Sequence, residues 1–176
     1  MRYQEPRQVQ MAGAPSGRRR DEPLLRSRLD RRQWLGLALL TATSFASSAA
    51  SIPVEVWKSP TCGCCGDWIK QMEASGFSVK TYSMGNADIR KGLKMPDKFG
   101  SCHTALVQGY ALEGHVPPRD VQRLLRERPK AVGLAVPGMP IGSPGMDGPD
   151  YAGRRDPYDV LLVQADGSSS VFQAYR

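Results

Sequence analysis

An α/β sandwich with a mixed central sheet is the fold this sequence predicts, and three observations carry the prediction. From Ile52 onward, short runs with strand alternation are interleaved with runs of helical period. Three of the four cysteines, Cys62, Cys64 and Cys65, follow the first strand-like run directly, a common place for chemistry in open α/β sheets. A Pro/Gly-rich stretch near the C-terminus then has no regular period and reads as a long loop.

Taken in order, Ile52 to Lys58 reads as a strand, because Val54 and Val56 alternate with Glu55 and Trp57 extends the β-favouring run. Ser59-Pro60-Thr61 turns the chain into the cysteine loop. Trp68, Ile69 and Met72 recur at helical spacing, which predicts a helix over Asp67 to Ser75, stopped by Gly76. Phe77 to Tyr82 alternates again, so the opening has the size of a parallel β-α-β unit. Asn86 can cap a second helix over Ala87 to Leu93. A hairpin is expected next, with arms Thr104 to Gln108 and Ala111 to His115 and a turn at Gly109-Tyr110. Pro117-Pro118 opens a third helix that ends before Pro129, with Val121, Leu124 and Leu125 on one face. Gly133 to Gly148 is expected to be irregular. Tyr158 to Val163 and Ser170 to Tyr175 close the chain as a hairpin. The order β-α-β-α-β-β-α is that of a thioredoxin-like α/β sandwich.

At 176 residues the chain has room for one domain and a tail. The formal charge is +7, and its location along the chain decides what it means. Residues 1–50 carry nine Arg against four acidic residues, a net of +5, which leaves +2 for residues 51–176. The body has no basic stripe interleaved with aromatics, so nucleic-acid binding is not expected. Residues 1–32 are Arg-rich with three prolines, Trp34 to Leu40 form an apolar core, and Thr41 to Ser51 supply small residues. That pattern is an export signal, either twin-arginine, with Arg31-Arg32 as the pair, or general secretory. The apolar run is too short for a stable membrane anchor. The expected layout is an export signal with an Arg-rich extension over 1–50, then one folded domain over 51–176 in an oxidising compartment outside the cytoplasm.

The cysteines carry the chemistry. A structural staple explains them poorly, because Cys64 and Cys65 are adjacent and a bridge inside 62–65 closes a very small loop. One reading takes Cys62-x-x-Cys65 as a thiol–disulfide redox pair at a helix start, with Cys64 incidental. The other takes Cys62, Cys64 and Cys65, with Cys102 returning from a distant loop, as a soft-metal site. Sulfur-rich sites favour Cu(I), zinc or iron–sulfur clusters. The spacing lacks the two separated pairs of a structural zinc site and differs from ferredoxin spacings. Crowded thiolates suit bridging around more than one Cu(I), which ranks copper first, zinc second and iron–sulfur third; a zinc-stapled interaction module is a third functional reading. His103, next to Cys102, is a candidate ligand. His115 reads as structural at the end of a strand, with approach to the site left open. Met139 and Met146 either bring thioethers toward a soft metal or pin their loop. Nothing recognisable as an oxyanion loop supports a Cys–His hydrolase.

Four stretches resemble one bacterial family. They are Val56-Trp57-Lys58-Ser59-Pro60-Thr61-Cys62-Gly63-Cys64-Cys65, Ser101-Cys102-His103-Thr104, Glu113-Gly114-His115-Val116-Pro117 and Gly133-Leu134-Ala135-Val136-Pro137-Gly138-Met139-Pro140. The chain is similar to the CopG-type copper-resistance family from about Val54 to Tyr175. The resemblance implies a thioredoxin-like periplasmic protein holding a cysteine-bridged cluster of several copper ions. It also implies a role in copper resistance or Cu(I)/Cu(II) redox exchange; the expected mechanism is sequestration, with a copper chaperone or efflux system as the candidate partner. Carried over by motif, the ligands are Cys62, Cys64, Cys65 and Cys102, with His103 a weaker carry-over. Ser101-Cys102-His103 occupies the place where thioredoxins proper have a cis-proline, which favours metal over dithiol exchange.

Overall fold

The computed structural model describes residues 50–176, so the export-signal reading of residues 1–49 lies outside the described residues. One seven-stranded mixed sheet runs in the order β2-β1-β3-β4-β5-β6-β7. Its strands are β1 (Ile52–Lys58), β2 (Phe77–Tyr82), β3 (His103–Val107), β4 (Tyr110–Glu113), β5 (Gly133–Ala135), β6 (Tyr158–Val163) and β7 (Ser169–Tyr175). The helices are α1 (Gly63–Ala74), α2 (Ala87–Gly92) and α3 (Pro118–Glu127). β1 pairs with β2 and β4 with β5 in parallel, and the other neighbours are antiparallel. The mixed α/β architecture and the expected β-α-β-α-β-β-α order over Ile52–Glu127 are both present.

Side-chain alternation sorts the core onto the two faces of the sheet. On one face, Val54, Val56, Ala105, Val107, Leu112 and Leu134 pack with Trp68 and Met72 of α1 and with Val121 and Leu124 of α3. On the other, Ala111, Ala135 and Val163 pack with Met95 and Phe99, which follow α2. Neighbouring residues in β4 and β5 therefore serve different layers.

Three expectations are corrected. α1 starts at Gly63, four residues before the expected Asp67, so Cys64 and Cys65 lie on its first turn and not in a loop. The β3–β4 turn is Gln108-Gly109, not Gly109-Tyr110; both residues have positive φ (44° and 88°), the twist a two-residue hairpin needs. The stretch expected to be irregular begins with a strand, β5, which bridges the front of the sheet to the C-terminal hairpin. Three residues are too few to show a period. Gly133 is required there, because a Cβ would lie 1.8 Å from the carbonyl oxygen of Ala111 on the neighbouring strand.

The last strand is tied to α3 through a polar contact. The Tyr175 hydroxyl donates to Asp120 at 2.6 Å and accepts from Arg119 Nε at 2.8 Å, while its ring stacks on Tyr158. Burial raises the Asp120 pKa above its ordinary value, and the Tyr175 hydrogen bond works against that rise. A raised carboxyl pKa means the folded state holds the proton more tightly, so this group loses stability as pH climbs past the usual Asp range. Tyr175→Phe is expected to cost about 1–3 kcal/mol at neutral pH, and less in acid once Asp120 is protonated. Urea unfolding at neutral and at acid pH measures both.

Candidate metal centre

The site begins where β1 hands over to α1. Cys62 is the N-cap residue of α1, in extended conformation (φ −78°, ψ 96°), and makes no side-chain capping bond. No acidic residue stands in the first turn, so the positive end of the helix is left to the sulfurs. Lys58 adds a second cation, donating to the carbonyls of Ser59 (3.0 Å) and Cys62 (3.4 Å). The first helical turn brings Cys62 and Cys65 to a Cα separation of 5.5 Å, and the two are joined as a disulfide. The short spacing that made a structural staple a poor explanation is therefore compatible with a bridge, because helix geometry and not loop length sets the distance. Cys64 remains a free, partly buried thiol with its sulfur 3.6 Å from that of Cys62.

The second segment comes from the start of β3. Cys102 is also free, and the sulfurs of Cys62, Cys64, Cys65 and Cys102 all lie within 4.8 Å of one another. Cys102 belongs to a second group as well, with His103 and His115. Its sulfur is 3.4 Å from His103 Nδ1 and 2.9 Å from His115 Nε2. His115 Nδ1 donates to the Pro144 carbonyl at 2.6 Å, which leaves the Nε2 lone pair toward Cys102. That arrangement, a backbone carbonyl fixing the tautomer of an imidazole, is how metal-binding histidines are usually oriented. Placing His115 here settles what its position at the end of a strand left open: it approaches the sulfurs.

His103 is fully buried, tilted against the Trp68 ring at 4.4 Å and edge-on to His115 at 5.2 Å. Its Nε2 has no hydrogen-bond partner. Burial, with His115 and Lys58 nearby, holds its pKa down to about 3, so the ring is neutral. Burial also lowers the His115 pKa. Burial, helped by the Cys64 sulfur, pushes the Cys102 thiol up to about 12. Two neutral imidazoles and a protonated thiol form a polar nest that cannot easily accept net charge from the protein alone.

The Pro/Gly-rich loop closes over this nest. Pro144 holds His115, the Ser101 hydroxyl donates to the Gly138 carbonyl, and Asp147 accepts from Gln71 of α1 at 3.0 Å. At Gly145 (φ +85°) a Cβ would lie 2.5 Å from the Cys64 carbonyl oxygen and 2.8 Å from the Trp68 nitrogen, so the loop lies directly on the first turns of α1. Of the two methionines, Met146 accepts from the Tyr151 hydroxyl at 3.1 Å, which pins the loop, while Met139 is half exposed.

Two solved forms of a protein named copper resistance protein copG match the chain. They are 43% and 42% identical to it, with TM-scores of 0.65 and 0.66, and the match covers 71% and 72% of this chain and 98% and 99% of theirs. The chain belongs to the CopG-type copper-resistance family. A family profile described as a protein of unknown function, DUF411, matches residues 99–146, the span that holds Cys102, His103, His115 and the closing loop. Among curated proteins none matches.

The donor set fits a soft metal ion: four sulfurs and two imidazoles, one of which, His103, has a buried Nε2 without a hydrogen-bond partner. Opening the Cys62–Cys65 bridge, with two electrons and two protons, is what makes all four sulfurs available. Gly145→Ala is expected to lose about 1–3 kcal/mol in urea unfolding and to speed alkylation of the Cys64 thiol, because the loop must lift away from α1. Unchanged stability and unchanged alkylation would show that the loop does not seal the site.

Proposed function

We propose that this protein binds Cu(I) as cargo in the periplasm, in the service of copper resistance. The bound ions are held in a multinuclear cluster by the thiolates of Cys62, Cys64, Cys65 and Cys102. His103 and His115 supply the nitrogen side through the shared Cys102. The observation that carries the reading is the convergence, within 4.8 Å, of four sulfurs from two segments nearly forty residues apart. A thiol–disulfide enzyme has no use for the third and fourth of them. Residues 1–50 act as the export signal, by the twin-arginine or the general secretory route. Among the described residues no helix is long and apolar enough to cross a membrane. A periplasmic copper chaperone or efflux system is the partner to which the cargo passes.

Binding follows from the chemistry of the donors. The metal displaces the proton that Cys102 otherwise retains, so loading releases protons and weakens as pH falls. The Cys62/Cys65 pair also supports redox exchange. Two Cu(II) ions oxidising the dithiol give two Cu(I), one disulfide and two protons, so the bridge seen here is the two-electron oxidised state of the same site.

Elemental analysis of the periplasmic protein, reduced and supplied with copper, tests the reading. Several coppers per chain are expected, falling by half or more in Cys64→Ser and in Cys102→Ser. The oxidised, bridged protein is expected to hold markedly less copper than the reduced one. Full retention of copper by Cys102→Ser, with an unchanged spectrum, would rule out the shared cluster.

The bridge itself favours a second reading, a periplasmic thiol–disulfide oxidoreductase that uses Cys62 and Cys65 at the positive end of α1. That reading requires Cys65→Ser to trap a mixed disulfide with a substrate thiol and Cys64→Ser to keep full exchange activity. The copper reading expects neither a trapped partner nor a silent Cys64.

A further inference from the structure

The segment that presents Cys102 has no regular backbone pairing of its own. Residues Gly100 to Cys102 lie between a 3₁₀ turn at Asp97–Phe99 and the first residue of β3. Both backbone groups of Ser101 are instead held by side chains. Its N–H donates to Glu113 Oε1 at 2.6 Å. Its carbonyl accepts from Arg90 at 2.9 Å and from Asn86 at 3.2 Å.

Glu113 is fully buried and sits opposite Thr104 in the β3–β4 ladder, on the α2 face of the sheet. Besides Ser101, it accepts from Arg90 Nε at 3.0 Å and, through its other oxygen, from the Thr104 hydroxyl at 2.6 Å. Thr104 in turn accepts from Asn86 at 3.1 Å. Gly100 leaves room for the guanidinium, since a Cβ there would lie 3.0 Å from Arg90 Nη1.

The helix that delivers Arg90 is informative. α2 has six residues and none of them is buried, so neither length nor an apolar face accounts for its place against the sheet. What it contributes inward is the guanidinium and, at its cap position, the Asn86 amide. A buried ion pair is weak evidence for stability, because desolvating both charges offsets most of their attraction. A role in orientation explains the arrangement better.

We infer that the buried Arg90–Glu113 pair is a positioning device for the candidate metal centre: from the opposite face of the sheet it clamps both backbone groups of Ser101 and thereby sets where the Cys102 sulfur stands. Glu113 and Arg90 touch none of the sulfurs in this arrangement. They act on the centre through one peptide, and the inference rests on the reading of Cys102 as a ligand.

Two measurements test it, one of them independent of metal. The variant is Arg90→Met combined with Glu113→Gln, which removes both charges and leaves no buried ion unpaired; Arg90→Lys serves as the conservative rescue. In metal-free, bridged protein carrying Cys64→Ser, Cys102 is the one free thiol. The double substitution is expected to raise its alkylation rate about tenfold, Arg90→Lys less, and the remote Tyr175→Phe not at all. In reduced protein, Cu(I) affinity measured by competition with bicinchoninate is expected to fall about tenfold with the double substitution. In a Cys102→Ser background the same change is expected to alter affinity by less than about twofold, since the coupled partner is gone.

Equal losses of affinity in both backgrounds, or an alkylation rate that Tyr175→Phe raises as much, would mean a purely structural role and overturn the inference. An unchanged alkylation rate overturns it as well. Parent protein that binds no Cu(I) sinks the copper reading alone, because the alkylation measurement still reports whether the pair sets the position of Cys102. Should the double variant fail to fold, Glu113→Gln alone is measured in the same two backgrounds.

Discussion

The Trp68 side chain is the contact on which the site depends. It is fully buried, its Nε1 donates to the Val116 carbonyl at 2.8 Å, and its ring lies 4.4 Å from that of His103. Those contacts join α1, which carries two cysteines and is capped by a third, to the start of β3, just after the fourth, and to the turn that carries His115. The backbone of Trp68 also lies under Gly145, so the closing loop rests on the same residue. A large aromatic with one polar edge suits this position: the ring supplies apolar burial and the single N–H leaves no donor unsatisfied.

Around that anchor the protein assembles donors that are uncharged in the absence of metal. Burial holds the Cys102 thiol protonated and both imidazoles neutral, so packing them together costs no isolated charge. A monovalent soft cation bound by thiolates changes the local charge little, whereas a harder divalent ion meets few oxygen donors there. If the proposed Cu(I) site holds, its selectivity would come from softness and from the low polarity of the surroundings. The two faces of the sheet divide the work: α1 and the His-bearing turn hold the donors on one side, while Arg90, Glu113, Thr104 and Asn86 brace the Ser101 peptide on the other.

Much of this was legible in the chain. β1 and β2 fall on the residues that alternation indicates, because a strand with one buried face repeats its pattern every second residue, and β6 falls on the expected hairpin arm. α3 begins at the expected Pro-Pro pair for an equally local reason, the fixed φ of proline at the first helical position. The early start of α1 was missed because Gly63, Cys64, Cys65 and Gly66 have no helical period to read. β5 was missed because three residues beside a Pro/Gly run carry no period, and its existence depends on Ala111 lying alongside. His115 looked like an ordinary strand end, since nothing near it in sequence tells that Pro144 will hold one of its nitrogens.

By itself the sequence determined the chemistry: which side chains are soft donors, how the first three are spaced, and where the local strand and helix periods lie. Only the tertiary structure decided which donors meet. Cys102 reaches the other sulfurs through the antiparallel register of β1 with β3, and His115 reaches Cys102 through the β3–β4 hairpin that follows. The physical reason is range. Periods and capping act between residues a few positions apart, whereas a site assembled from residues 62, 102 and 115 exists only once sheet register and the packing of Trp68 have brought distant segments into contact.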